Sequence, residues 1–208
     1  MMQEHNQATQ WFEEVYKKHK DNHENIPWAR GDVNPLLRTY LEDTTQSHKG
    51  RALVVGCGLG DDAHALFEAG YEVLAIDVSQ TALDIAKERS NGLSIVYEKQ
   101  DIFDMPTNYN GYFDFVFEAL TIQSLPVKFR EKMIEAVANT LAPKGRLLVV
   151  AHQKQREFDG PPWPLTKEQI DIFKEHGLDE LSFEIHTEES KISNTRFRVL
   201  YEKMEDIA

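Results

Sequence analysis

The sequence predicts an α/β fold, a doubly wound and mostly parallel seven-stranded sheet whose last strand runs antiparallel. Three observations predict it. Five short apolar runs between Arg51 and Gln153 alternate with amphipathic stretches, the pattern of strands covered on both faces by helices. A glycine cluster joins the first run to the amphipathic stretch after it. Two further segments near the C-terminus alternate apolar with polar residues, and the connector between them is too short for a helical crossover, so they fit an antiparallel hairpin.

Taken in order, Gln7 to His19 reads as a helix with Trp11, Phe12, Val15 and Tyr16 on one face. Leu36, Leu37, Tyr40 and Leu41 form a second helical stripe. The strands are Ala52 to Val55, Val73 to Ile76, Leu93 to Val96, Phe113 to Phe117 and Leu147 to Ala151. The helices between them are Asp61 to Ala69, Gln80 to Arg89 and Phe129 to Leu141. Pro143-Lys-Gly145 turns the chain into the fifth strand. Thr166 caps a helix that runs to His176. Leu181, Phe183 and Ile185 alternate with polar residues, as do Phe197, Val199 and Tyr201 with Arg196 and Arg198, so both last strands are expected to be half-exposed. One domain over 1–208 is expected, with residues 1–45 as a helical lid, 46–153 as the ligand-binding core, and 154–208 as a loop, helix and hairpin.

Composition narrows the function. The 208 residues contain 23 Lys and Arg against 35 Asp and Glu, a formal charge of −12. That balance argues against a nucleic-acid grip or a polybasic membrane anchor. The single cysteine, Cys57, excludes a disulfide framework and a multi-thiolate metal site. The polar start and the lack of a long apolar run predict a cytoplasmic chain. No metal site is expected: His19 and His23 have i, i+4 spacing but polar neighbours.

The chemistry concentrates in Gly56-Cys-Gly-Leu-Gly60. Glycines let backbone approach a ligand closely. A dinucleotide fingerprint would place glycine or alanine at position 61, where this chain has Asp61 followed by Asp62. Two acids at a helix N-terminus satisfy its dipole and repel a pyrophosphate. A phosphate-free, cationic ligand such as S-adenosylmethionine suits them better. Asp77 ends the second strand 21 residues after Gly56, where an acid accepts from ribose hydroxyls. Asp101 follows the third strand, in the loop beside an adenine. Cys57 reads as a packing residue.

In these motifs the chain resembles the class I S-adenosylmethionine-dependent methyltransferases, which have a Rossmann-like fold. Val54-Val-Gly-Cys-Gly-Leu-Gly60 is similar to the family's first motif and Ala75-Ile-Asp-Val-Ser79 to its second. Glu98-Lys-Gln-Asp-Ile102 matches the adenine loop, Phe113-Asp-Phe-Val-Phe-Glu118 the fourth strand, and Leu141-Ala-Pro-Lys-Gly-Arg-Leu147 the approach to the fifth. The ends resemble the thiopurine, thiol and halide branch: Trp11 and Ile26-Pro-Trp-Ala-Arg-Gly31 its lid, and Gly160-Pro-Pro-Trp-Pro-Leu-Thr166 its active-site loop. Glu118 to Ser124 departs from the thiopurine enzymes' pattern, which leaves the acceptor open.

The resemblance implies cofactor contacts at Trp11, Trp28, Gly56, Gly58, Gly60, Asp77, Val78, Asp101, Ile102 and Glu118. It implies acceptor contacts at Trp28, His152 and Trp163, with His152 as a candidate base. The cofactor would be S-adenosyl-L-methionine and its product S-adenosyl-L-homocysteine. A monomer or weak homodimer acting on a small molecule, without nucleic-acid or membrane partners, is expected. A nicotinamide-dependent oxidoreductase and a non-catalytic S-adenosylmethionine-binding module are the alternatives. Asp159-Gly-Pro-Pro-Trp163 is similar to the motif of enzymes that methylate flipped bases, but it carries an extra glycine and follows the fifth strand. The acidic stretches at Glu188-Glu189 and from Glu202 to Asp206 read as solvated surface.

Overall fold

The structure, a computed structural model, describes residues 2–43, 48–155, 160–187 and 195–205, the first six by backbone alone. Its strands are β1 (Gly50–Val55), β2 (Tyr71–Asp77), β3 (Val96–Lys99), β4 (Phe113–Ala119), β5 (Leu141–His152), β6 (Leu178–Thr187) and β7 (Thr195–Lys203). They form one seven-stranded sheet in the order β3-β2-β1-β4-β5-β7-β6. β7 runs antiparallel to both neighbours, while β1/β2, β2/β3 and β4/β5 are parallel pairs. The chain divides into two compact units, Met1–Asp104 and Met105–Ala208.

In the first unit, α1 (Met2–Lys18) and α2 (Pro35–Leu41) precede β1. Helices α3 (Asp61–Ala69) and α4 (Gln80–Arg89) follow β1 and β2. Local chemistry fixes their ends. Gly60 precedes α3 with a left-handed backbone, and Gly70 closes it with another. The Ser79 hydroxyl accepts the Ala82 N–H and so caps α4. Tyr16 of α1 packs with Ile26, Leu59, Ala82 and Ile85 in a buried cluster.

The third strand lies three residues beyond its expected position. Asn91 and Gly92 turn the chain with positive φ, and Leu93 and Val96 are exposed. β3 is an edge strand, so its apolar residues need not face the core. Only a strand reaching Lys99 pairs with the end of β2, where Asp77 meets Lys99.

In the second unit, α5 (Arg130–Thr140) buries Met133, Ile134, Val137 and Ala138. Pro143 to Gly145 make the expected turn, as an excursion inside β5: the partner of Phe113 is Leu141 and that of Phe115 is Arg146. The helix expected from Thr166 is two short ones, α6 (Lys167–Ile170) and α7 (Ile172–Glu175), behind a full capping box of Thr166 and Gln169. They divide where the Lys174 N–H bonds the Asp171 carbonyl three residues back, instead of four.

The last strand also departs from expectation. β7 is not half-exposed: Arg196 and Arg198 are 7% and 8% accessible. The strand is interior, between β5 and β6, and Arg198 Nη1 donates to Glu184 Oε1 across the hairpin at 2.5 Å. Burial of Arg198 is therefore compensated by a charged partner. Glu188, Glu189 and the rest of the connector to Asn194 lie outside the described residues, as do Asp159 and Asp206.

Candidate active site

The glycine loop leaves β1 and turns back on itself. The Cys57 N–H donates to the Ile76 carbonyl at 2.9 Å, which ties the loop to β2. Gly58 and Gly60 have φ of +53° and +86°, backbone that side chains rarely adopt. A Cβ at Gly58 would come 2.9 Å from the Tyr16 hydroxyl, and one at Gly60 2.7 Å from that of Tyr97. Both positions favour glycine by conformation, and an added Cβ would also force the facing tyrosine hydroxyl to move.

Asp77 braces this loop. Its Oδ2 accepts the Gly58 N–H at 2.9 Å and its Oδ1 accepts the Ser79 N–H at 2.8 Å. Burial pushes the carboxyl up, and backbone donors from Ser79, Gly58 and Val78 offset part of that rise. A carboxylate has about four acceptor sites, so three backbone donors leave Asp77 with about one more. Val78 is half-buried beside it. Cys57 is buried, and burial together with Asp77 holds its thiol far above its ordinary range, which fits an inert packing residue.

The two acids after the loop do not act as expected. Asp61 forms a two-pronged ion pair with Arg89, whose Nη1 also donates to the Leu59 carbonyl at 2.6 Å. Its charge is matched within the protein. Asp62 Oδ1 accepts the Asn34 N–H at 2.7 Å, and burial raises its carboxyl to about 6. These acids fix the loop and the segment before α2; they do not present a pair of open negative charges to a ligand. Asp101 Oδ1 accepts the Phe103 N–H at 3.0 Å, which shapes the turn that buries Ile102.

Trp28 stands edge-on to Trp11, Phe12 and Tyr16, with ring centroids 5.4, 5.7 and 5.7 Å away. Its indole N–H donates to the Tyr16 hydroxyl at 2.7 Å. Glu13, which sequence reasoning missed, joins α1 to α4. It accepts from the Ser79 hydroxyl, the Thr81 N–H and the Thr81 hydroxyl at 2.5, 3.2 and 2.9 Å. Burial alone would raise its carboxyl, but those donors and Lys17 outweigh it and hold the group at about 2.

In the second unit, Glu118, the residue before the last of β4, is fully buried. Its Oε1 accepts the N–H groups of Thr121 and Ile122 at 2.7 and 2.9 Å, and its Oε2 has no partner. Burial lifts this carboxyl to about 7. His152 and Trp163 meet at one residue, Gln123. The Gln123 side-chain oxygen accepts the His152 N–H, and its main-chain oxygen accepts the Trp163 N–H, both at 2.6 Å. Buried Arg130 then donates to the Trp163 carbonyl at 2.8 Å. Gln123 and Arg130 carried no motif in the sequence. Among the described residues, no group of three or more His, Cys, Asp or Glu is arranged to hold a metal ion.

The family model for Thiopurine S-methyltransferase (TPMT) matches residues 11–198. The chain belongs to this family. It is an S-adenosylmethionine-dependent methyltransferase, and the nicotinamide-dependent and non-catalytic alternatives fall away. Thiocyanate methyltransferase 1 of Arabidopsis thaliana is 29% identical over 181 residues, which is 81% of this chain and 77% of that protein. Thiopurine S-methyltransferase of Vibrio campbellii is 28% identical over 158 residues, 67% of this chain and 71% of that protein. The fold matches magnesium protoporphyrin IX methyltransferase from Synechocystis, with a TM-score of 0.75 and 15% identity over 94% of this chain and 99% of that one. Within the first unit, the bare backbone at Gly58 and Gly60 beside the Asp77 carboxylate leaves room and an acceptor that suit a nucleoside cofactor.

Proposed function

We propose that this methyltransferase carries out an in-line transfer from S-adenosylmethionine to a small, soft nucleophile, a thiol or a thiocyanate-like anion. The observation that carries this reading is the convergence of the His152 and Trp163 main chains on Gln123, which brings a histidine and a tryptophan together at the C-terminal ends of β4 and β5. Sheets of this kind bind ligands at those ends. The thiocyanate and thiopurine names of the relatives support sulfur as the accepting atom.

When bound, the cofactor supplies a methyl carbon on a sulfonium, with a neutral thioether as the leaving group. The protein's work is then to position the acceptor and exclude water. In this reading Gly56, Gly58, Gly60, Val78, Asp101 and Ile102 line the nucleoside, and Asp77 accepts from its ribose. Trp11 and Trp28 cover it, and an aromatic face favours a cation. Glu118 offers its open oxygen to the cofactor. His152, Trp163 and Trp28 contact the acceptor. A soft anion needs no strong base, so His152 orients more than it deprotonates.

The charge of −12 favours a small acceptor over nucleic acid, and the lone Cys57 fits a reducing cytoplasm. No described helix is long and apolar enough to cross a membrane. We infer a monomer or weak homodimer. Radiolabelled S-adenosylmethionine offered with thiocyanate, iodide, thiophenol, aniline and phenol tests the reading. Label on the sulfur compounds or iodide is expected; label on aniline or phenol alone would overturn it.

A further inference from the structure

Gln123 is a polar residue buried to 2% accessibility, within a single 3-10 turn (Ile122–Ser124), and it joins three segments. Its side chain reaches the end of β5 at His152. Its main-chain carbonyl takes the Trp163 N–H from the loop after β5. Its own turn is anchored to β4, because Glu118 accepts from Thr121 and Ile122. Trp163 is gripped again from its carbonyl side by Arg130. His152 in turn accepts the Leu165 N–H at 3.0 Å, which closes a ring of hydrogen bonds through Trp163 and Leu165 back to Gln123.

We propose that Gln123 is a positioning residue that sets the spacing of His152 and Trp163 and thereby the acceptor's fit. A buried amide is retained at a cost unless it is hydrogen-bonded, and here its carbonyl has one short, specific partner. The bond it makes is to main chain, so it fixes the strand end and not a movable side chain. The strand end it fixes carries His152, while the same residue's backbone carries Trp163, so both walls shift when the turn shifts. Small displacements of positioning groups cost rate out of proportion to their size. The inference rests on the proposed acceptor roles of His152 and Trp163.

The test pairs Gln123→Met, which keeps length and volume but removes the acceptor, with Gln123→Glu, which keeps an acceptor oxygen. Two readouts are needed. In a Trp11→Phe/Trp28→Phe background Trp163 is the sole tryptophan, since the chain has three. There Gln123→Met should raise acrylamide quenching at least twofold, and Gln123→Glu should restore it. In the otherwise unaltered enzyme Gln123→Met should raise the KM for thiocyanate or thiophenol about tenfold, with S-adenosylhomocysteine affinity within twofold. Unchanged quenching overturns the proposal. So does a mobilised Trp163 with unchanged KM when Trp163→Ala raises KM. If Trp163→Ala and His152→Ala leave KM unchanged too, the acceptor reading fails, and the inference with it.

Discussion

Glu13 of α1 accepts a 2.5 Å hydrogen bond from the Ser79 hydroxyl, the same oxygen that caps α4 by accepting the Ala82 N–H. Ser79 also donates its own N–H to Asp77. One serine thus links the N-terminal helix, the cap of α4 and the carboxylate that braces the glycine loop. Glu13→Ala leaves two hydroxyls and an N–H without their acceptor. It is expected to destabilise the fold by about 1–3 kcal/mol, the worth of a charged hydrogen-bond partner. It should also speed release of S-adenosylhomocysteine several-fold. Urea unfolding and stopped-flow release measure the two effects; a variant with wild-type release would show that α1 does not restrain the cofactor.

Asp77 braces the glycine loop, and the proposed ribose contact gives its removal a second expected effect. Asp77→Ala is expected to weaken S-adenosylhomocysteine at least tenfold in calorimetry, from lost ribose bonds of about 1.5–3 kcal/mol. Because the Gly58 and Ser79 N–H groups also lose their acceptor, the ligand-free melting temperature should fall as well. A melting temperature equal to wild type would mean that the loop does not depend on this brace.

Gly58 and Tyr16 form a steric pair. Gly58→Ala places a methyl group 2.9 Å from the Tyr16 hydroxyl on backbone with a φ of +53°. The backbone term costs about 1–2 kcal/mol by itself. In a Tyr16→Phe background the hydroxyl contact is gone and only that term remains. A double-mutant cycle on unfolding free energy should therefore show favourable coupling, and strict additivity would contradict it.

Glu118 makes stability depend on pH. Its folded carboxyl titrates near 7, above the ordinary carboxylate range, so the folded chain binds that proton more tightly than the unfolded chain. Stability is then full below the unfolded value and is lost as pH rises through about 7, by about 3 kcal/mol once the shift is complete. Glu118→Gln cannot lose the proton and keeps an oxygen for Thr121 and Ile122. Its melting temperature should decline less than wild type between pH 5.5 and 8, and parallel curves would refute the assignment.

Sequence reasoning reached the elements whose ends are marked by local chemistry. Gly60, Gly70 and Ser79 delimit α3 and α4, so those boundaries matched residue for residue. The hairpin followed from connector length, and β7 is antiparallel to both neighbours. What escaped depends on partners distant in sequence. Asp61 read as an open charge because Arg89 lies 28 residues away. Arg196 and Arg198 read as solvated because alternation does not reveal that a strand will be interior. Gln123 has no pattern of its own: its importance comes from His152 and Trp163, 29 and 40 residues downstream.

Arg89, at the last turn of α4, ties to Asp61 and the Leu59 carbonyl, while Ser79 at the first turn reaches Gly58 through Asp77. A single helix therefore pins the glycine loop from both of its ends. A loop restrained in this way has met its ordering entropy during folding, before any ligand arrives. The heat-capacity change on cofactor binding should then be small and reflect mainly apolar surface covered by the aromatic residues of α1, not a loop that folds around its guest.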